Sequence, residues 1–480
     1  MTNLTDYHEY DAIGLSELVR KGEVSASELL NEAISRTEEI NPTINAVVQK
    51  HYDEAKAAID SGLPDGPFTG VPFLLKDLNI LLKDTVTSMG SVMFKDYTPR
   101  YNSTLTNRYI NSGLVIFGKS ASPEFGALPV TETRLFGPTR NPWDLSRTPG
   151  GSSGGAAAAV AAEIVPMANA SDGGGSIRIP ASCTGLVGFK PTRGRTAMGP
   201  TIGEGWGGQS ISHVVSRTVR DSAAMLDATT GPEPGDPYAP PYFGGRYLDE
   251  VVKAPGNLRV GLIPQKIGSG SYMPEIRNAL DDVAKFMMDL GHKVEEATPD
   301  VDGHALQFAS TTLLGANLAL KVTQHEEETG RPLKEGDLES STLALIKLGR
   351  SIDGETYAKA SQINQIAGRT MGRFHEKYDV VLSPTLNTLP VPVGHFEDGD
   401  LGEKVGEFMA NTSLFNQTGQ PSISLPLAWS EQGLPIGIMF SSAFGKDDVL
   451  IRLSGQLEQA RPWADHRAPN CAGANQRHKK

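Results

Sequence analysis

The chain has 480 residues, a formal net charge of −12, 39% hydrophobic and 21% charged residues. An acidic balance with scattered basic residues argues against a nucleic-acid surface, and the composition is that of a globular protein with ample core rather than a disordered or fibrous one. The two cysteines, Cys183 and Cys471, lie far apart without metal-ligand spacing, which speaks against a disulfide framework and fits a reduced, cytoplasmic setting. No apolar run approaches the roughly 20 residues of a membrane span, and the polar, acidic first residues are not expected to act as a signal peptide.

Residues 11–46 read as two helices. Ser25 and Glu28 form a capping box ahead of Leu29, Leu30, Ala33 and Ile34, which recur at helical spacing. Asn41-Pro42 is expected to stop that helix. A short strand over 45–48 and a helix over 52–58 follow. The apolar run 71–75 leads to Lys76-Asp77. A lysine after a buried run is poised to lose solvent, which disfavours its ammonium form and lowers its pKa; the plainer alternative is a surface lysine paired with Asp77. A helix and then a buried strand, 114–118, precede loops over 119–126 and 136–143.

Residues 148–180 organise the chain. Gly150-Gly151-Ser152-Ser153-Gly154-Gly155 and Asp172-Gly173-Gly174-Gly175-Ser176 are joined by the helix-favouring run 156–162 and a short strand over 164–167. Three glycines before a serine can aim consecutive N–H groups into one pocket. An oxyanion hole needs that, with Ser176 placed to attack the carbonyl whose oxygen is held. Asp172 and Arg178 flank the loop with opposite charges and are expected to hold it rigid. Residues 177–180 are read as leaving the site and 185–191 as turn-rich. Loop 201–208 offers one aromatic, Trp206, either a pocket wall or a surface tryptophan.

Further on, 214–226 carries a helical apolar pattern, 233–242 is a proline-rich excursion, and 258–295 reads as strand, amphipathic helix and edge strand. Residues 305–375 are mostly helical. Strands at 379–384 and 434–439 and a helix at 449–457 follow. The histidines show no H-x-x-H or H-E-x-x-H spacing, so no metal site is supported.

The two glycine–serine segments, at their mutual spacing, resemble the amidase signature family, as does Gly70-Val71-Pro72-Phe73-Leu74-Leu75-Lys76-Asp77 upstream. The resemblance spans about residues 10–467. It implies one large α/β domain, 1–467, with a twisted mixed β-sheet flanked by helices and a motif core at about 60–210; 468–480 is expected to be a disordered tail. It implies Ser176 as nucleophile, Ser152 as relay following a cis peptide, and Lys76 as base, with the N–H groups of Gly173, Gly174, Gly175 and Ser176 holding the oxyanion. Gly126 matches a position whose backbone lies near substrate in the family.

The implied activity is amide hydrolysis through an acyl-enzyme, without a cofactor, on small aryl or alkyl amides and also carbamates or esters. Small molecules are the expected partners, not nucleic acid or membrane, and the expected state is a monomer or homodimer. Gly173 departs from the Thr or Ile of many relatives, a form loosely associated with aryl-amide, nylon-oligomer and carbamate hydrolases. Two alternatives stand. One is an amidotransferase-type subunit, disfavoured because Ile179 replaces the usual Gln. The other is an α/β-hydrolase-like esterase with Ser153 as nucleophile, for which the segment before it has too little strand character.

Overall fold

The apolar runs Pro72–Lys76, Val115–Ser120, Val380–Pro384 and Pro435–Ser442 become strands buried along their whole length, and amphipathic helices pack on the sheet faces. The computed structural model describes residues 6–268 and 270–473. Its first sheet has three strands in the order β1-β3-β2: β1 (Val47–Lys50), β2 (Pro72–Lys76) and β3 (Val115–Ser120). A two-stranded hairpin, β4 (Glu132–Thr133) with β5 (Gly137–Pro138), lies between this sheet and the glycine–serine segments in sequence.

The main sheet has eight strands: β6 (Met167–Asp172), β7 (Val187–Lys190), β8 (Ile211–Ser216), β9 (Arg259–Leu262), β10 (Lys293–Glu296), β11 (Val380–Pro384), β12 (Ser422–Trp429) and β13 (Pro435–Ser442). Their order is β10-β9-β11-β13-β12-β7-β8-β6. The β10-β9-β11 end is parallel and the remainder antiparallel, so the sheet is mixed, as expected. The strand–helix–strand unit over 258–296 joins this sheet and founds no domain of its own. Edge strand β2 meets edge strand β6 through a side chain: Asn169 Oδ1 accepts from the Lys76 N–H at 3.1 Å. Lys76 thereby arrives at the end of β2 beside the strand that delivers Asp172.

The helix Gly154–Ala161 is buried on every side. Its Ala156-Ala157-Ala158-Ala159 run is fully buried, and a Cβ at Gly155 would lie 2.3 Å from Ala121 N. Small side chains are what admit this helix between its neighbours.

Four expectations are corrected. The second helix does not stop at Asn41-Pro42 but runs Ala26–Ile44; Asn45, at φ 52°, ends it, while Asn41 Oδ1 accepts from Ala46 N and Val47 N. Residues 177–180 do not simply leave the site: they open the helix Arg178–Thr184, where Pro180 falls in the first turn and costs no needed N–H. The stretch read as turn-rich contains β7, in the interior of the sheet. Gly188 there is a packing glycine, since a Cβ would stand 2.5 Å from Ala181 Cβ. The helical pattern of 214–226 divides into β8 and the helix Val219–Thr229.

The expected tail also differs. Ala468, Cys471 and Ala472 are buried, and Ala472 N donates to Ala162 O at 3.0 Å. Residues 474–480 of that expectation lie outside the described residues. Among the described residues no helix is long and apolar enough to cross a membrane.

Candidate active site

Lys76 is fully buried, and its Nζ is ringed by hydroxyls: Ser152 Oγ at 2.7 Å, Ser153 Oγ at 3.0 Å and Ser171 Oγ at 3.0 Å. Loss of water disfavours the ammonium ion, and the Asp172 charge restores only part of its stability. The amine is pushed down from its usual range to about 7. The peptide bond Gly151–Ser152 is cis. Ser153 is wholly buried; its hydroxyl donates to Ser171 O at 3.1 Å, and no strand leads directly into it. The strand–turn–helix context that an α/β-hydrolase nucleophile needs at Ser153 is therefore missing.

The loop carrying Ser176 is fixed by Asp172. Its Oδ1 accepts from Gly175 N at 2.7 Å and its Oδ2 from Ile177 N at 3.1 Å. The Arg178 guanidinium closes on it through two bonds of 2.9 Å, both side chains fully buried. Asn416 Nδ2 adds a third partner to Oδ1 at 2.8 Å. Burial works against this carboxylate, but Arg178, Lys190 and Asn416 outweigh it and hold its pKa down to about 2. The expected rigidifying pair is thus the centre of a network that also anchors Arg178 on Thr412 O at 2.9 Å.

The Gly175 N–H is committed to Asp172, so it is not free for a substrate oxygen. The N–H groups of Gly173, Gly174 and Ser176 have no protein acceptor among the described residues. Gly175 sits at φ 137°, which only glycine takes readily, and Thr412 Oγ1 donates to Gly174 O at 2.7 Å.

Ser176, Gly173, Gly174, Gly126 and Trp206 line one cavity of about 250 Å³. Ser176 Oγ makes no hydrogen bond to any described residue, while Ser152 closes the floor beside Gly126, whose Cβ would lie 3.2 Å from Ser152 Oγ. Gly175 is turned away from the cavity, behind Thr412. The far walls are Leu306, Leu314, Met409 and Leu414, with Lys266 at the polar side. Lys266 donates to Gly406 O, and partial burial lowers its pKa. Three contributors were not singled out from sequence. Ser171 is an ordinary small polar residue in a strand. Thr412 and Asn416 lie more than 200 residues from the loop they hold, as the sequence separations of 238 and 244 attest.

A serine hydroxyl in a cavity, N–H groups without protein acceptors beside it and a desolvated lysine behind it are the groups that acyl transfer calls for. The family model described as Amidase matches residues 28–451, and the chain belongs to the amidase signature family. It is 35% identical over 474 residues to a 6-aminohexanoate-cyclic-dimer hydrolase of Paenarthrobacter ureafaciens, covering 95% of this chain and 96% of that protein. It is 34% identical over 478 residues to the putative amidase AmiC of Mycobacterium tuberculosis (strain ATCC 25618 / H37Rv), covering 97% of each. Among solved structures, that of a 6-aminohexanoate cyclic dimer hydrolase superposes with a TM-score of 0.91 at 34% identity, covering 96% of this chain and 99% of the other. A bacterial aryl acylamidase gives a TM-score of 0.87 at 27% identity, covering 96% and 98%.

Proposed function

We propose that the chain hydrolyses small aryl or alkyl amides, cyclic amide oligomers included, through a Ser176 acyl-enzyme, and that carbamates and esters are further substrates. Ser176 Oγ attacks the carbonyl carbon. Its proton passes to Ser152 Oγ as Ser152 gives its own to neutral Lys76 Nζ. The C=O π pair moves onto oxygen, and that oxyanion is held by N–H groups among Gly173, Gly174 and Ser176. Collapse breaks the C–N bond, and the proton returns from Lys76 through Ser152 to the departing amine. Water then repeats the sequence on the acyl ester. In this reading the enzyme works in the cytoplasm, without a cofactor, as a monomer or homodimer.

The observation that carries the reading is the 2.7 Å contact between Ser152 Oγ and a lysine amine brought to about 7. A base must be neutral at working pH, and this lysine is desolvated enough to be so. The names of the relatives point to the amide class; the apolar walls fit an uncharged substrate. A fluorophosphonate labelling experiment read by peptide mass spectrometry tests it. The label is expected on Ser176 alone and absent from Ser176→Ala. Labelling of Ser153 with Ser176→Ala still active would overturn it.

A further inference from the structure

The three glycines before Ser176 differ in what holds each of them to glycine. Gly175 needs its backbone, at φ 137°. Gly174 faces open space, with nothing within 4 Å of a built Cβ. Gly173 has no positive φ, so its backbone would accept a side chain. What forbids one is the Trp206 indole: a Cβ at residue 173 would lie 2.4 Å from both Cε3 and Cζ3. The ring occupies the volume a side chain at 173 would fill.

Trp206 is held there at a cost. It has φ 53°, a conformation that bulky residues avoid, and Gly207 and Gly208 follow it with φ 63° and 80°. The loop is closed by Ser210 N donating to Gly205 O at 3.0 Å, and Gln209 Nε2 donates to Trp206 O at 2.9 Å. Gly207 also receives Leu313: a Cβ there would stand 3.2 Å from Leu313 Cδ1. A strained residue over-determined by its neighbours, aimed into the cavity that holds Ser176, is a built wall rather than a surface tryptophan.

We propose that Gly173 and Trp206 act as one specificity-determining unit, in which the indole laid on Gly173 admits straight-chain or flat apolar acyl groups and excludes those branched next to the reacting carbonyl. This rests on the reading of Ser176 as nucleophile. The ring lies over the loop that carries the nucleophile, so a branch on the carbon next to the carbonyl meets the indole, while a polymethylene chain or an aryl plane passes along its face. A side chain at 173 cannot coexist with the indole where the ring now lies, so the two positions are coupled.

Two measurements on the full chain test this. The first is a double-mutant cycle on the urea-unfolding midpoint with Gly173→Ala and Trp206→Ala. Gly173→Ala is expected to lower the midpoint with Trp206 present and to leave it unchanged in the Trp206→Ala background. The second is the rate at which fluorophosphonates with straight or branched alkyl groups label Ser176. Trp206→Ala is expected to lower the straight-to-branched rate ratio by about tenfold or more, the discrimination a pocket wall gives for a methyl or two. Equal effects of Gly173→Ala in both backgrounds would overturn the contact. Coupling with an unchanged ratio would overturn the specificity role and leave a packing pair. Absence of Ser176 labelling in the parent chain would overturn the reading of the site and this inference with it.

Discussion

The floor of the site and its cover are built by opposite rules. On the floor, Lys76, Ser152, Ser153, Asp172 and Arg178 are all buried, and every polar group has a partner at 2.7–3.1 Å. On the cover, the helix Gly303–Thr329 presents Leu306, Ser310, Thr311 and Leu314 to the cavity, and Ser310 and Thr311 are only half-buried. A buried charge network tolerates no single loss, because each removal strands a partner. A partly exposed wall tolerates substitution and changes only the shape it offers. In the proposed reading chemistry is concentrated in the floor and substrate choice in the cover.

The largest effects are expected on the floor. Lys76→Ala, Ser152→Ala and Ser176→Ala should each lower kcat/KM by about 10⁴-fold or more, and the double variants little further, because the three act as a unit. Losses that multiply in steady-state kinetics would break the claim that they form one relay. Next is Asp172→Ala, which leaves the Arg178 guanidinium buried without its carboxylate. A stability loss of about 3–5 kcal/mol is expected in urea unfolding. A loss under about 1 kcal/mol, the range of surface pairs, would show that the loop does not depend on Asp172.

On the cover, Leu314→Ala should change KM between small and large acyl substrates by about tenfold or less, with kcat nearly constant. A collapse of kcat would erase the division between floor and cover. The smallest effect belongs to a pair remote from both. Arg259 and Asp379 meet at 2.7 Å with side chains 49% and 33% exposed. Asp379→Ala should shift stability by no more than about 1 kcal/mol and leave kinetics unchanged.

The same division governs what the sequence discloses. Lys76, Ser152 and Ser176 stand out because their surroundings are constrained at backbone level: glycines where φ or close approach demands them, small residues where the buried helix must fit. The strands β3, β9, β11 and β13 are legible for a similar reason, as apolar runs with clear ends. β7 is not, because Gly188 and Lys190 interrupt its apolar pattern, and its strand state is set by neighbours on both sides. Nor can the commitment of the Gly175 N–H to Asp172 be read from three consecutive glycines; it depends on a carboxylate folded back over the loop. Thr412 and Asn416 are invisible for a third reason: their roles are purely long-range. The partnership of Gly173 with Trp206 is of this kind too, a gap in one segment filled by a ring from another.

The central claim is that a neutral Lys76 amine takes the proton. Single-turnover acylation of Ser176 by an amide substrate, followed from pH 5 to pH 9, tests it most directly. The amine is protonated below about 7 and neutral above it. The acylation rate should therefore climb about tenfold per pH unit below that point and level off above it. A rate that is flat over this range, or that falls as pH rises, would contradict the account.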